Sequence, residues 1–213
     1  MNVKYNKRIK DEVRKRKIEY LYHFTRYENL ESILSRGLLS REMLEMENIN
    51  CNYNDENRYD RCFDTVNTSV TFPDYKMLSK YRKAYKDVDW VIFKIDAKVL
   101  YERECFFSKD KTTEKKQFTN KIKEQKDIKS FKSLFNQIHQ KGTRISMGID
   151  DNMPTNPQAE VFLLEGIDLS DVCEIVFENK KLMEKFKSEY STDIELSVDI
   201  NLFKTRKDAK HWN

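Results

Sequence analysis

Asn156-Pro157-Gln158-Ala159-Glu160-Val161 sets a carboxylate at the opening of an apolar run that continues to Leu164. Ala159 to Leu164 reads as a strand, because a short apolar run follows a cluster of turn formers, Gly148 to Pro157. A charged residue seldom opens a buried strand without cause, yet strand-edge glutamates are common, so this carboxylate alone assigns nothing. Downstream, Glu174 to Phe177 reads as another strand, Lys180 to Tyr190 as a helix and Ile194 to Phe203 as an alternating strand.

Toward the front of the chain the same short elements recur. Asn6 to Glu19 carries Ile9, Val13 and Ile18 at loose helical spacing, which predicts a basic helix laying one narrow apolar stripe on the body. Tyr20 to Phe24 predicts a strand, and Tyr27 to Arg36 a helix with Leu30, Ile33 and Leu34 on one face and Gly37 as a left-handed cap. Ser40 to Asp64 lacks periodicity and is too long for a plain connector, so it reads as a functional loop. Val66 to Phe72 alternates and is closed by Pro73; Tyr75 to Tyr85 is a basic helix with Met77, Leu78 and Tyr81 inward; Trp90 to Ile95 is an apolar strand. Ser108 to Lys132 is nearly all Lys, Glu, Thr, Gln and Asp and reads as an exposed helix or a mobile insertion. Phe131, Leu134, Phe135 and Ile138 restore helical spacing up to Gly142. Short strands and helices mixed without βαβ alternation, and without an internal repeat, predict an α+β fold.

At 213 residues one domain is the default, 1–213, comprising a basic N-terminal helix (1–19) and a lysine-rich insertion (108–132). Thirteen Phe and eleven Tyr supply the bulky apolar groups that disordered chains lack. The net charge of +4 is too small to name a partner. Basic clusters at Lys7 to Lys17, Lys76 to Lys86, Lys109 to Lys132 and Lys204 to Lys210 suit either a phosphate-tracking face or solvated helices. Four scattered cysteines without a CxxC pair and three distant histidines indicate neither a disulfide framework nor a zinc site. No apolar run approaches 18 residues and the start has no apolar leader, so a cytoplasmic, reduced protein without a membrane segment is expected.

Three stations carry candidate chemistry. In Tyr22-His23-Phe24-Thr25, followed by Asn29-Leu30, an imidazole and a hydroxyl two residues apart share one strand face and can both bond a ribose or an amide. A core histidine with a local partner would look the same. Arg58-Tyr59-Asp60 precedes the strand Val66 to Phe72 and the segment Pro73-Asp74-Tyr75-Lys76-Met77. Its arginine can fork onto a pyrophosphate or a carboxylate, or simply sit in solvent beside Asp55 and Asp60. The third station is Glu160 in its Asn-Pro-Gln-Ala-Glu-Val setting.

In this order the stations resemble the DarT family of DNA ADP-ribosyltransferases. The likeness covers Tyr20 to Leu39, Arg58 to Met77, Trp90 to Phe106 (a strand and a cysteine-containing loop) and Asn156 to Phe177. The resemblance implies the split-sheet ADP-ribosyltransferase fold with flanking helices. It also implies an NAD-consuming toxin that modifies a base in single-stranded DNA, countered by a macrodomain antitoxin. Glu160 and Arg58 would then be catalytic, and His23, Thr25, Asn29 and Tyr75 would hold NAD. Arg61 stands where relatives tend to have glycine, a departure that bears on loop shape and target base.

Losing nicotinamide leaves positive charge on the anomeric carbon, so an ionised carboxylate beside the ribose should lower the barrier. Glu160 would act by binding the 2′-hydroxyl and by taking the proton of the attacking base nitrogen. Tyr75 or Phe72 would stack on nicotinamide or on an unpaired base, with core packing the competing task of Phe72. The alternatives are an RNA base ADP-ribosyltransferase, a protein-directed ADP-ribosyltransferase, and a nucleic-acid-binding module indifferent to Glu160.

Overall fold

The computed structural model describes residues 6–52, 62–110, 125–138 and 141–212. Asn6 caps helix α1 (Lys7–Arg16), whose Ile9 and Val13 are buried as the stripe predicts, and Lys17 ends it in the left-handed region. Strand β1 (Tyr20–Arg26) follows, then a 3-10 turn (Tyr27–Asn29) and helix α2 (Leu30–Arg36). Gly37 follows α2 at φ 83° and ψ −175°, not in the predicted left-handed helical cap. Its need for glycine is steric as well: an added Cβ would lie 2.5 Å from the Ile167 carbonyl oxygen, where Leu38 and Ile167 form a bridge.

The predicted loop from Ser40 contains a helix, α3 (Arg41–Met46), capped by the Ser40 hydroxyl. It buries none of its side chains, so no apolar period marks it in the sequence. Residues 53–61 lie outside the described residues. Strand β2 (Thr65–Val70) stops two residues earlier than expected, because Thr71 turns to φ 64° and gives its hydroxyl to the Asn152 carbonyl at 2.7 Å. Asp74 then caps helix α4 (Tyr75–Ala84), which leads to strand β3 (Trp90–Asp96), the short helix α5 (Val99–Glu102) and strand β4 (Cys105–Ser108).

β4 corrects the reading of the cysteine segment as a loop: four buried residues in a row carry no alternation to mark them as a strand. Helix α6 (Ile128–Ser133) begins inside the lysine-rich stretch and ends well before Gly142, while 111–124 lie outside the described residues. Helix α7 (Arg144–Met147), strand β5 (Glu160–Leu164), strand β6 (Val172–Phe177), helix α8 (Lys180–Glu189) and strand β7 (Glu195–Val198) complete the order. The expected strand from Ile194 to Phe203 breaks at Asp199, whose side chain caps a 3-10 turn (Ile200–Phe203).

The seven described strands run in the order β4-β5-β2-β1-β3-β6-β7, antiparallel except for β6 beside β7. On one face Leu21, Val91, Phe93, Val161 and Leu163 meet Ile9, Leu30, Phe131 and Phe186 from the helices in the principal core. On the other face α4 and the 3-10 turn Ile200–Phe203 cover Tyr22, Trp90, Ile92 and Val176. The strand residues alternate between these clusters, which fixes their register, since a slip of one residue would exchange the side chains of the two cores and spoil the packing of both. The sheet is split at its centre. β1 pairs with β3 along seven residues but with β2 only at Leu21↔Val70 and Tyr22↔Ser69. Because β1 and β2 are antiparallel, the later half of β1 diverges from the earlier half of β2 and a fork opens between β4-β5-β2 and β1-β3-β6-β7.

Candidate active site

Two of the three stations meet at this fork. His23, just past the last β1–β2 pair, places Nδ1 2.8 Å from the Asn67 carbonyl oxygen. A carbonyl can only accept, so Nδ1 carries a hydrogen and donates it to the Asn67 carbonyl. Asn67 in turn donates from its side-chain amide to Glu160 Oε1 at 3.3 Å, and its amide oxygen receives the Thr65 hydroxyl at 3.5 Å. A line Thr65, Asn67, Glu160 is thus held on β2 and the first residue of β5, with His23 across the fork.

Asn67 is the site residue that motif order does not reveal. The sequence does carry a signal for it: asparagine is depleted from strand interiors, and this one stands between Val66 and Thr68 in the middle of β2.

Thr25 and Asn29 are buried, at 4% and 5% exposure, and serve as an anchor, not as an open wall. The Asn29 amide donates to the Thr25 hydroxyl at 2.9 Å and to the Asn52 carbonyl at 3.2 Å, and its oxygen accepts the Asn52 N–H at 2.9 Å. Asn52 immediately precedes 53–61, so Asn29 fixes the point from which the segment with Arg58 departs. Arg58 and Arg61 themselves lie outside the described residues.

Tyr75 is not brought to the fork by any hydrogen bond among the described residues. It is buried as the first residue of α4, lines a cavity beside Arg82, and its hydroxyl has no hydrogen-bond partner among the described residues. Phe72 packs against the cluster of Tyr22 and Trp90, the core role that competes with stacking.

The loop leading to Glu160 is braced through its carbonyl groups. Arg16 donates to the Asp151 carbonyl at 3.0 Å, and Arg144 to those of Asp150 and Met153 at 2.7 and 2.9 Å. Arg206, 5% exposed, donates to the carbonyls of Pro154 and Thr155, both at 3.0 Å, and forms two 2.6 Å bonds with Asp208. Burial acts to raise the Asp208 carboxyl, but the Arg206 guanidinium and the Trp212 indole N–H outweigh it and hold it below the usual carboxylate range. Nearer the strand, Asn156 Oδ1 accepts the Gln158 N–H at 2.9 Å, and the Gln158 side chain donates to Asp74 at 3.5 Å. Asn-Pro-Gln-Ala is therefore a turn that delivers Glu160 to the start of β5.

Cysteine nucleophiles have no place in this arrangement. All four cysteines are free thiols, and burial pushes the Cys105 thiol up to about 12. Among the described residues no cluster of three His, Cys, Asp or Glu side chains suits a metal ion, and no helix is long and apolar enough to cross a membrane.

Comparison with known proteins joins this geometry to a family. No curated protein matches the chain. Among solved structures, Thermosipho africanus DarTG in complex with ADP-ribose superposes with a TM-score of 0.59 at 18% identity, covering 87% of this chain and 51% of that one. This chain therefore spans about half the length of that relative. Thermus sp. 2.9 DarT in complex with NAD+ gives 0.53 at 12% identity, over 87% of this chain and 98% of that one. The same Thermus protein in complex with ADP-ribosylated ssDNA gives 0.51 at 12% identity, over 88% and 97%. These likenesses show the fold, as expected from the sequence. The family model described as ssDNA thymidine ADP-ribosyltransferase, DarT, matches residues 22–204, from the strand that carries His23 to just past the last 3-10 turn of the second core, and this chain belongs to the DarT family.

Proposed function

We propose that this chain transfers ADP-ribose from NAD+ to a base of single-stranded DNA, a thymidine base by the description of its family, with Glu160 as the essential carboxylate. The observation that carries the reading is the alignment of His23, Asn67 and Glu160 across the fork of the split sheet. Membership of the family supports the reaction class, and the NAD+ and ADP-ribosylated ssDNA complexes of Thermus DarT support the two substrates.

The donor set suits a dinucleotide. Cleavage of the nicotinamide glycosidic bond develops positive charge at the anomeric carbon, which a carboxylate at the ribose stabilises. Asn67 holds one oxygen of Glu160 through its amide and so sets the direction in which the carboxylate presents its lone pairs. The same carboxylate takes the proton released by the attacking base nitrogen. His23, with Nδ1 donating to the Asn67 carbonyl, keeps one ring orientation toward NAD+. Thr25 and Asn29 support that wall from behind, and Arg58 serves the phosphates or the incoming base. Tyr75 keeps its proposed place near NAD+ only through the end of α4 that Gln158 touches.

The biological reading is a toxin of a toxin-antitoxin or phage-defence system, acting in the cytoplasm and reversed by a macrodomain antitoxin; similarity to a DarTG structure supports it. Incubating the protein with NAD+ and, separately, single-stranded DNA, duplex DNA, RNA and a cell lysate tests the function. Mass spectrometry should find ADP-ribose on a base of single-stranded DNA alone. Labelling confined to RNA or to protein would overturn the assignment.

A further inference from the structure

In the loop before Glu160, each of the six consecutive carbonyl oxygens from Asp150 to Thr155 accepts a hydrogen bond from a side chain. Arg144 donates to Asp150 and Met153, Arg16 to Asp151, the Thr71 hydroxyl to Asn152, and Arg206 to Pro154 and Thr155. The donors belong to α7, α1, the turn after β2 and the segment beyond the 3-10 turn Ile200–Phe203. Carbonyl groups of surface loops ordinarily bond water. Here four separate segments take its place, so the folded body sets the path of this backbone.

Arg144 is the centre of the brace. Its Nη1 donates to the Thr155 hydroxyl at 2.5 Å while Nη2 reaches the two carbonyls, a planar fork that a lysine ammonium cannot reproduce. Arg16 and Arg206 each have a carboxylate partner, Glu12 at 2.7 Å and Asp208 at 2.6 Å, whereas Arg144 has no ion pair among the described residues. Burial, with Arg16 and Arg206 nearby, holds its guanidinium below the usual arginine value against the opposing pull of Asp151 and Asp150. A half-buried cation set beside two others is a poor source of stability in itself, which directs attention to the geometry it fixes.

That geometry leads to Glu160 within five residues. The Leu134 carbonyl accepts the Thr155 N–H at 2.9 Å, and the Asn156 carbonyl accepts the Ala159 N–H at 3.1 Å, closing the turn. Glu160 is the first residue of β5, so pairing with β2 and β4 fixes the chain on its far side only. The turn must fix the near side. Misplacing a reacting group by about 1 Å can cost on the order of a hundredfold in rate.

We propose that Arg144 is a positioning residue for the transfer reaction. With Arg16 and Arg206 it locks the loop from Asp150 to Thr155, and through the turn that follows it sets where Glu160 stands against Asn67.

The inference rests on Glu160 being the essential carboxylate, as proposed above. Arg144→Ala and Arg144→Lys are compared with the unaltered protein by steady-state labelling, at a temperature where circular dichroism shows all three folded. In both variants kcat should fall about tenfold while KM for NAD+ stays within about twofold, because His23 stands on the other half-sheet. If Arg144→Ala does not fold, Arg144→Lys carries the same test. The double variant Asn67→Ala/Arg144→Ala, or Asn67→Ala/Arg144→Lys in its place, should label within about threefold of Asn67→Ala alone, since both changes act on the same carboxylate. Multiplied losses, an unchanged kcat, full activity of Arg144→Lys, or a raised KM for the oligonucleotide with kcat intact would each overturn this role and leave the function standing. Labelling of RNA in place of DNA would overturn the proposed substrate, and the same kinetics on RNA would then decide the role of Arg144. Absence of labelling on every acceptor by the unaltered protein would refute both.

Discussion

Asn67 touches both sides of the fork: its carbonyl oxygen lies 2.8 Å from His23 Nδ1 and its side-chain amide 3.3 Å from Glu160 Oε1. One residue thereby couples the imidazole of one half-sheet to the carboxylate of the other. Replacing Asn67 by Ala removes the second bond and keeps the first, which uses the backbone. A lost hydrogen bond to a charged group amounts to about 1.5–3 kcal/mol. We expect kcat to fall roughly ten- to a hundredfold with little change in KM for NAD+, measured by steady-state labelling of a single-stranded oligonucleotide.

Glu160→Gln keeps the size of the side chain and its ability to bond Asn67 but removes the negative charge. Labelling should fall by about a hundredfold or more, the scale of losing one preorganised electrostatic group. The melting temperature should stay close to that of the unaltered protein, because Glu160 is only half-buried at the start of β5. A Gln variant with near-normal kcat would remove the carboxylate from the chemistry.

Asn29→Ala breaks the ties to Thr25 and to both backbone groups of Asn52. Buried partners left unsatisfied cost about 1–3 kcal/mol, so the melting temperature should drop by several degrees. KM for NAD+ should rise more than kcat falls, since Asn29 acts by anchoring the segment that follows Asn52. Differential scanning calorimetry and labelling kinetics check the two halves.

Arg206→Ala strands the Asp208 carboxylate in the interior, where both side chains are almost fully buried. Removing one partner of a buried pair typically costs about 3–5 kcal/mol. The pair also gives a pH signature. The Asp208 carboxyl is held below its ordinary value of 3.8, so the unfolded chain binds this proton more readily than the folded one and folding releases it. The resulting stabilisation is complete above the ordinary value and is lost as pH falls through the lower, folded-state value. Denaturant titrations should show the stability gap between the unaltered protein and Asp208→Asn narrowing below about pH 4. A gap independent of pH from about 7 to about 2 would contradict the pairing.

Gly37→Ala tests the bridge between Leu38 and Ile167. The new methyl would sit 2.5 Å from the Ile167 carbonyl oxygen at a φ of 83°. Strain of this kind costs about 1–3 kcal/mol. The loss should appear in the melting temperature and leave KM for NAD+ unchanged.

Strands and helices with a regular apolar period are legible in the sequence. Ile9 and Val13 on α1, Leu78 and Tyr81 on α4, and Phe93 and Ile95 on β3 are buried as their spacing predicts. Elements without such a period are not legible: α3 buries nothing, and β4 buries all four of its residues. In both cases one kind of environment surrounds the whole element, so no alternation is written into it. His23 and Glu160 are visible through motif order. Asn67 is not, because its importance comes from a neighbour 93 positions away.

The amino-acid sequence by itself determined the elements with a regular apolar period and the family, since apolar spacing, turn formers and the His-x-Thr and Asn-Pro-Gln-Ala-Glu-Val segments are properties of neighbouring residues. Tertiary structure alone decided that β1 and β2 part after two paired positions, that Asn67 bridges the opening, that Asn29 is an anchor, and that Tyr75 is buried at the start of α4 beside a cavity with Arg82. Local spacing constrains which side of an element is apolar, but a contact between distant segments depends on how whole strands pair and where they separate, and that is a property only of the assembled sheet.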